Sequence, residues 1–190
     1  MTKSKTDIIL YGGPASGKGT QAELLVKKLQ AATLSMGAEL RRLAAAKTLT
    51  GQRVKRYVDA GQIVPPEISD RIVRRFVAQV PAARVIVFDG FPRTIAQART
   101  LDKILARRHR QAKTIFIKLP IAVAKARLAK RAAIEHRQDD ASPGVIARRI
   151  RIFNDRAKQV LQYYRQTKRL GVADGNATIS AVHRRIIKLV

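Results

Sequence analysis

Short apolar runs alternate with longer amphipathic stretches along most of the chain. Residues 7–11, Asp-Ile-Ile-Leu-Tyr, end in Gly12-Gly13-Pro14, which predicts a buried strand running into a tight loop. Over residues 17–30, Leu24, Leu25 and Leu29 recur with Ala22 and Val26 at helical spacing while Glu23, Lys27 and Lys28 carry charge. A helix therefore follows the loop. Residues 84–88, Arg-Val-Ile-Val-Phe, predict a second buried strand, and residues 94–108 a helix with Thr94 as its N-cap. A third strand is expected over 113–119, stopped by Pro120, and an Ala- and Leu-rich helix over 121–133. Residues 143–168 read as a long helix carrying Val145, Ile146, Ile150, Phe153, Val160, Leu161 and Tyr164. A short strand at 172–173 and a helix over 179–189 close the chain.

Strands alternating with helices of ten or more residues predict an α/β fold, with a parallel sheet covered on both faces and ligands bound beyond the carboxyl ends of the strands. Two stretches fit the alternation poorly. Residues 32–75 are helical and turn-rich, with a short strand near 33–35, and residues 132–142 are polar and irregular. Both read as insertions. The 190 residues fit one domain, without internal repeat or low-complexity segment.

Composition narrows the class. A hydrophobic fraction of 46% excludes disorder for the bulk of the chain, and the lack of cysteine excludes a disulfide framework and a cysteine-ligated zinc. No apolar run approaches the roughly 18 residues needed to span a bilayer, and residues 1–5 lead into a strand instead of a signal-peptide core. A cytoplasmic protein without a membrane span is expected. Lys and Arg number 39 against 13 Asp and Glu, a net charge of +26. They are spread through Arg41-Arg42, Arg74-Arg75, Arg107-Arg108-His109-Arg110, Arg148-Arg149 and Arg184-Arg185. A polyphosphate substrate would use about seven cations. The remainder fits either a basic solvated surface or weak association with RNA, ribosomes or another anionic surface. His109 and His136 have no ligand-spaced partners and read as surface residues.

Gly12-Gly13-Pro14-Ala15-Ser16-Gly17-Lys18-Gly19-Thr20 follows a strand and opens a helix, the context of a phosphate-binding loop. Backbone N–H groups and a helix N-terminus favour a polyphosphate there, and Lys18 supplies a mobile cation. The strict pattern has Ser or Thr directly after Lys, whereas here Gly19 precedes Thr20. Further along stand Asp89-Gly90-Phe91-Pro92-Arg93-Thr94, with Gln97-Ala98 after two residues, and Arg137-x-Asp139-Asp140. With Gly-x-Pro-x-x-Gly-Lys-Gly-Thr-Gln at the amino end, these motifs resemble the adenylate kinase family, from Ile8 to near Val182.

That resemblance implies a P-loop three-layer fold with a five-stranded parallel sheet, a helical acceptor-binding insertion over 35–64 and a short lid over 132–142, in a single kinase domain. It implies transfer of the γ-phosphoryl group of ATP to AMP, giving two ADP. Lys18 and the backbone of Ala15, Ser16, Gly17, Gly19 and Thr20 would hold the donor phosphates, with Arg127 over the ATP base, Arg131 at the phosphates and the Ala177 backbone touching the base. Arg127 and Arg131 fall one turn apart on one helix face. Arg41 and Arg93 would bind the AMP phosphate, and Gln97 would read the adenine edge. Met36, Gln62, Ile63, Val64, Gly90, Phe91 and Pro92 would line the acceptor site. Arg137 and Arg149 match the two lid arginines that contact the phosphates in transfer; Arg148 is the alternative to Arg149. Lys18, Arg93, Arg137 and Arg149 are thus the catalytic set. Mg²⁺ is implied with ATP, near Thr20 and Asp89 and largely through water, and the short lid implies no zinc. Family behaviour implies a monomer.

Departures fall mainly on the acceptor side. Met36 stands where threonine is usual, Ala38 and Pro66 where aspartate is usual, and Ala15 where a glycine is common. At Ala15 a negative φ or a slightly different turn is expected. These departures leave room for a monophosphate kinase of broader specificity, and the surplus charge for an RNA- or ribosome-associated nucleotide-binding protein. Asp139 and Asp140 read equally as lid hinges or as a helix-start signal before Pro143.

Overall fold

A computed structural model describes the chain over residues 6–135 and 143–190, and within those spans the side chains other than those of 130–135 and 143. The elements run β1 (Asp7–Tyr11), α1 (Lys18–Leu29), β2 (Ala32–Ser35), α2 (Met36–Ala44), α3 (Leu49–Asp59), α4 (Pro66–Gln79), β3 (Ile86–Asp89) and α5 (Ile95–Ala106). They continue with β4 (Ala112–Lys118), α6 (Ile121–Glu135), α7 (Pro143–Gln166), β5 (Leu170–Asp174) and α8 (Ile179–Ile187).

All five strands are parallel, in the order β2-β3-β1-β4-β5. Every residue of β1 is buried, because successive side chains point to opposite faces and both faces are covered. Ile9 and Tyr11 join Ile86 and Phe88 beneath α4, α5 and α7, whose Val73, Val77, Leu101, Leu105, Val160 and Tyr164 complete that core. Ile8 and Leu10 face the other way with Val87, Ile115 and Ile117, against α1 and α8 through Leu25, Val182 and Ile186. This is the expected three-layer α/β fold.

The local signals hold at the helix starts. Thr94 Oγ1 accepts from the Gln97 N–H at 3.2 Å, Thr48 Oγ1 caps α3 and Thr178 Oγ1 caps α8. The irregular span is smaller than residues 32–75, however. β2 is an edge strand of the main sheet, with Leu34 opposite Phe88, and α4 packs on α5. Only α2, α3 and their turns stand apart from the alternation. β5 is longer than 172–173, its pattern blurred by Gly171 and the exposed Val172.

At the amino ends of the strands lies a buried ion pair. Arg110 donates to both oxygens of Asp7, at 2.8 and 2.7 Å, and to the carbonyls of Pro81 and Ala82; Asp7 also accepts from the Ile86 N–H. Arg110 is therefore structural, although in sequence it belongs to a run of surface cations. His109 is exposed, as expected.

Candidate active site

The loop between β1 and α1 lies at the carboxyl end of the central strand. Gly17 takes φ 89°, a left-handed turn that sets the first N–H groups of α1 around the loop. Lys18 Nζ reaches back to the carbonyls of Gly12 and Gly13, at 2.8 and 2.7 Å, and to Ser16 Oγ at 3.3 Å. The cation thus sits over the loop's own mouth. Phe153 of α7 packs on Gly13 and on the Tyr11 ring.

Behind the loop, Gly175 lies against Ile117 and the Ser16 carbonyl. Its own carbonyl accepts from Arg127 at 3.2 Å. Arg127 of α6, the turn leading to Ala177 and the phosphate loop are therefore neighbours. Asp89 ends β3 beside them: its Oδ2 accepts from Ser35 Oγ at 3.4 Å and faces Gly19 at the start of α1, where Thr20 is exposed.

A second cleft opens on the β2 side of the loop. Met36, Leu40, Ile63, Val64, Ser69, Gly90, Phe91, Arg93 and Gln97 line it. Gln97 is buried, and its amide is held at both ends: Oε1 accepts from the Arg93 N–H at 2.7 Å and Nε2 donates to Ser69 Oγ at 3.3 Å. Arg93 Nε donates to the Gly90 carbonyl, which aims the guanidinium along the cleft. Burial holds the Arg93 pKa below the ordinary arginine range. The charge of Arg149 adds to that, Asp89 and Tyr11 oppose it, and Arg41 lowers it further. The charges of Arg41 on α2 and Arg149 on α7 thus act on Arg93 together with the Asp89 carboxylate, Arg93 lining the second cleft and Asp89 facing the start of α1. Such crowding of like charge suits a polyanion, because each arginine offers a planar fork to phosphate oxygens.

The comparisons agree with this geometry. A family model described as adenylate kinase matches residues 10–169. The chain belongs to the adenylate kinase family. An adenylate kinase of Caulobacter sp. (strain K31) is 37% identical over 177 residues, covering 93% of each chain. One of Cyanothece sp. (strain PCC 7425 / ATCC 29141) is 35% identical over 184 residues, covering 96% of this chain and 94% of its own. One of Flavobacterium psychrophilum is 31% identical over 185 residues, covering 97% of each. Membership makes the protein a phosphotransferase.

Within the family pattern the structure gives the expected residues the following places. Ala15 keeps a left-handed turn, φ 57°, contrary to the negative φ expected from its Cβ; the tight loop imposes a conformation that costs about 1–2 kcal/mol for a residue other than glycine. Arg149 is the residue beside Arg93. Arg148 is exposed and donates to the Ala60 carbonyl at 3.2 Å. Gln62 is exposed, spends its N–H on the Tyr57 carbonyl and is absent from the cleft lining, whereas Ile63 and Val64 belong to it. Pro92 is buried next to Phe91. Arg137, His136, Asp139, Asp140 and most of the expected lid lie outside the described residues, as does the side chain of Arg131. Ser69, Leu40, Tyr11 and Phe153 are site neighbours that motif reading missed. Ser69 had a signal: it is a small polar residue on the apolar face of α4, between Ile68 and Val73.

Proposed function

We propose that this chain transfers the terminal phosphoryl group of ATP to AMP, giving two ADP. The observation that carries the reading is the phosphate loop, with Lys18 over its mouth, next to a cleft lined by Arg93 and Gln97 where the charges of Arg149, Arg41 and Asp89 also act on Arg93. On this reading the loop and Lys18 hold the donor phosphates, Arg127 and the turn at Ala177 border the donor base, and the Gln97 cleft takes the acceptor base. Arg41 and Arg93 hold the acceptor phosphate, and Arg149 spans the transferred group, with Arg137 and Arg131 as further phosphate ligands.

In the transfer, an acceptor phosphate oxygen forms a bond to Pγ of ATP as the bond from Pγ to the β-γ bridging oxygen breaks, and ADP leaves with that oxygen. The acceptor phosphate ionises with a second pKa near 6. No protein base is therefore needed at neutral pH, and the work reduces to alignment and charge neutralisation. The arginines stay protonated throughout. Asp89 and Thr20 offer a carboxylate and a hydroxyl, hard oxygen donors that suit Mg²⁺ with its retained waters. Asp89 and Thr20 would hold Mg²⁺ through its waters, and the ion would supply charge neutralisation on the donor phosphates. A cytoplasmic, monomeric enzyme belongs to the same proposal.

A coupled assay with ATP, Mg²⁺ and each of AMP, GMP, CMP, UMP and dTMP tests it. AMP is expected to be the best acceptor, and Lys18→Ala to lower kcat by at least about 100-fold with the fold retained. No ADP formed from AMP would reject the reading. The Met36 thioether, standing in the acceptor cleft where the family has a hydroxyl, favours one variation: comparable turnover of a second monophosphate would mark a broader acceptor range.

A further inference from the structure

The outer surface of the α4–α5–α7 layer carries positive charge that the cleft does not use. On α4, Arg71, Arg74 and Arg75 are exposed at i, i+3 and i+4, facing away from the buried Ser69, Val73 and Val77. On α5, Arg99 and Lys103 repeat one turn apart, opposite the buried Leu101 and Leu105. On α7 the exposed Arg156 stands seven positions before Tyr163, the residue that bonds Asp102 of α5, and so lies on the same side of the helix. α4 packs on α5 and α5 on α7, and the Tyr163 hydroxyl of α7 donates to Asp102 of α5. Neighbouring helices sit about 8–10 Å apart, so the basic stripes lie side by side.

Little acid dilutes them. Glu67 and Asp155 are the exposed acids of these three helices among the described residues, Glu67 is engaged by Arg53 at 2.9 Å, and the half-buried Asp70 lies beside Arg71, Arg74 and Arg75. The opposite layer is weaker in charge: α1 and α8 with its C-cap expose Lys27, Lys28, Arg184 and Lys188, but also Glu23, and Arg185 is tied to Asp174.

The chemistry of the face selects its partner. Among the described residues the large exposed hydrophobics, Leu49, Ile121, Val172, Ile179 and Val190, all lie outside these three helices. The face therefore lacks the apolar anchor of an interfacial membrane helix. It also lacks exposed aromatic rings on which unpaired bases could stack. What it offers is a broad, arginine-rich array suited to regularly spaced phosphates. We propose that this face binds the phosphate backbone of double-helical nucleic acid without sequence selectivity. The nucleotide cleft stays clear, because it lies at the carboxyl ends of the strands and these stripes lie on the flank.

Fluorescence anisotropy with a labelled random-sequence DNA duplex, titrated against salt, tests the proposal on the full chain. Log affinity is expected to fall with log salt at a slope of about −4 to −6, as for a comparable number of neutralised phosphates. The variant Arg71→Gln/Arg75→Gln/Arg99→Gln/Lys103→Gln is expected to lose at least about tenfold in affinity near 50 mM salt, with a shallower slope. Its thermal midpoint and its kcat with ATP and AMP should match the wild type. Lys27→Gln/Lys28→Gln/Arg184→Gln/Lys188→Gln, on the opposite layer, should retain the wild-type slope. Equal losses in the two variants would overturn the proposal by assigning the effect to total charge. So would undetectable duplex binding by the wild type, or tighter binding to phosphatidylserine-containing vesicles than to the duplex.

Discussion

Arg93 holds its charge among like charges. Burial and the nearby Arg149 and Arg41 all disfavour its cation, and Asp89 offsets them only in part. A guanidinium does not deprotonate in a protein, so the repulsion is relieved by an anion instead of by proton loss. Arg149→Ala should therefore lower kcat by at least about 100-fold. Arg148→Ala, which removes an exposed bond to a carbonyl, should stay within about threefold; steady-state kinetics separate the two, and equal losses would reverse their assignment. Ser69 acts through Gln97. Its hydroxyl fixes which end of the amide meets the Arg93 N–H, so Ser69→Ala is expected to raise KM for AMP by about three- to tenfold with little change in kcat or in KM for ATP. Ser69→Thr, which keeps the hydroxyl, should restore KM. A uniform fall in kcat for Ser69→Ala would indicate a structural role only.

At the scale of elements, α4 joins the acceptor cleft to the outer surface through Asp70. Asp70 Oδ1 is buried without a hydrogen-bond partner among the described residues. Burial raises the Asp70 pKa, and Arg74 opposes the rise. The folded chain thus holds this proton more tightly than the unfolded chain does, and the stability linked to it is lost as pH rises through the raised value. Asp70→Asn should raise the thermal midpoint at pH 7, by less than about 3 °C, and the gain should vanish as pH falls below the carboxylate range. Melting curves at the two ends of that range check the sign. The Asp7–Arg110 pair makes larger demands. Arg110→Ala leaves a buried carboxylate whose main cationic partner is gone, and urea unfolding is expected to show a loss of about 3–5 kcal/mol. Asp7→Asn/Arg110→Met should lose less, and both should keep wild-type kcat below their transitions, because the pair sits at the amino ends of the strands.

These two sites also mark the limit of what sequence declares. The strands at β1, β3 and β4, the N-cap at Thr94 and the long α7 were legible because apolar period and capping are local properties. So were the phosphate loop and the Asp89–Gln97 motif. Arg110 was not, because the same residue is solvated or buried according to whether a carboxylate from β1 lies opposite, a contact 103 positions away in sequence. Ala15 was misread for a related reason: its φ is set by closure of the loop, not by its own preference. Arg148 and Arg149 are adjacent in sequence, and only the approach of the Ala60–Gly61 turn to α7 distinguishes them.

For the molecule as a whole, that approach joins the α2–α3 segment to the opposite side of the cleft. Gly61, at φ 64°, lies so close to α7 that a Cβ there would fall 3.0 Å from Val145 Cγ1 and 3.1 Å from Arg149 Cγ. Arg41, beside Gly37, and Arg149, beside Gly61, both act on Arg93, as the proposed single cleft for two nucleotides requires. Joining two ligands that occupy adjacent sites makes the second contact intramolecular and raises affinity by about 10²–10⁴. The most direct measurement is calorimetric titration of the full chain with two adenosines linked by a polyphosphate long enough to reach both sites. One molecule should bind per chain, at least about 100-fold more tightly than ATP or AMP alone, and Arg93→Ala should abolish that advantage. Two molecules bound per chain, or affinity no better than that of ATP, would contradict convergence on a single cleft.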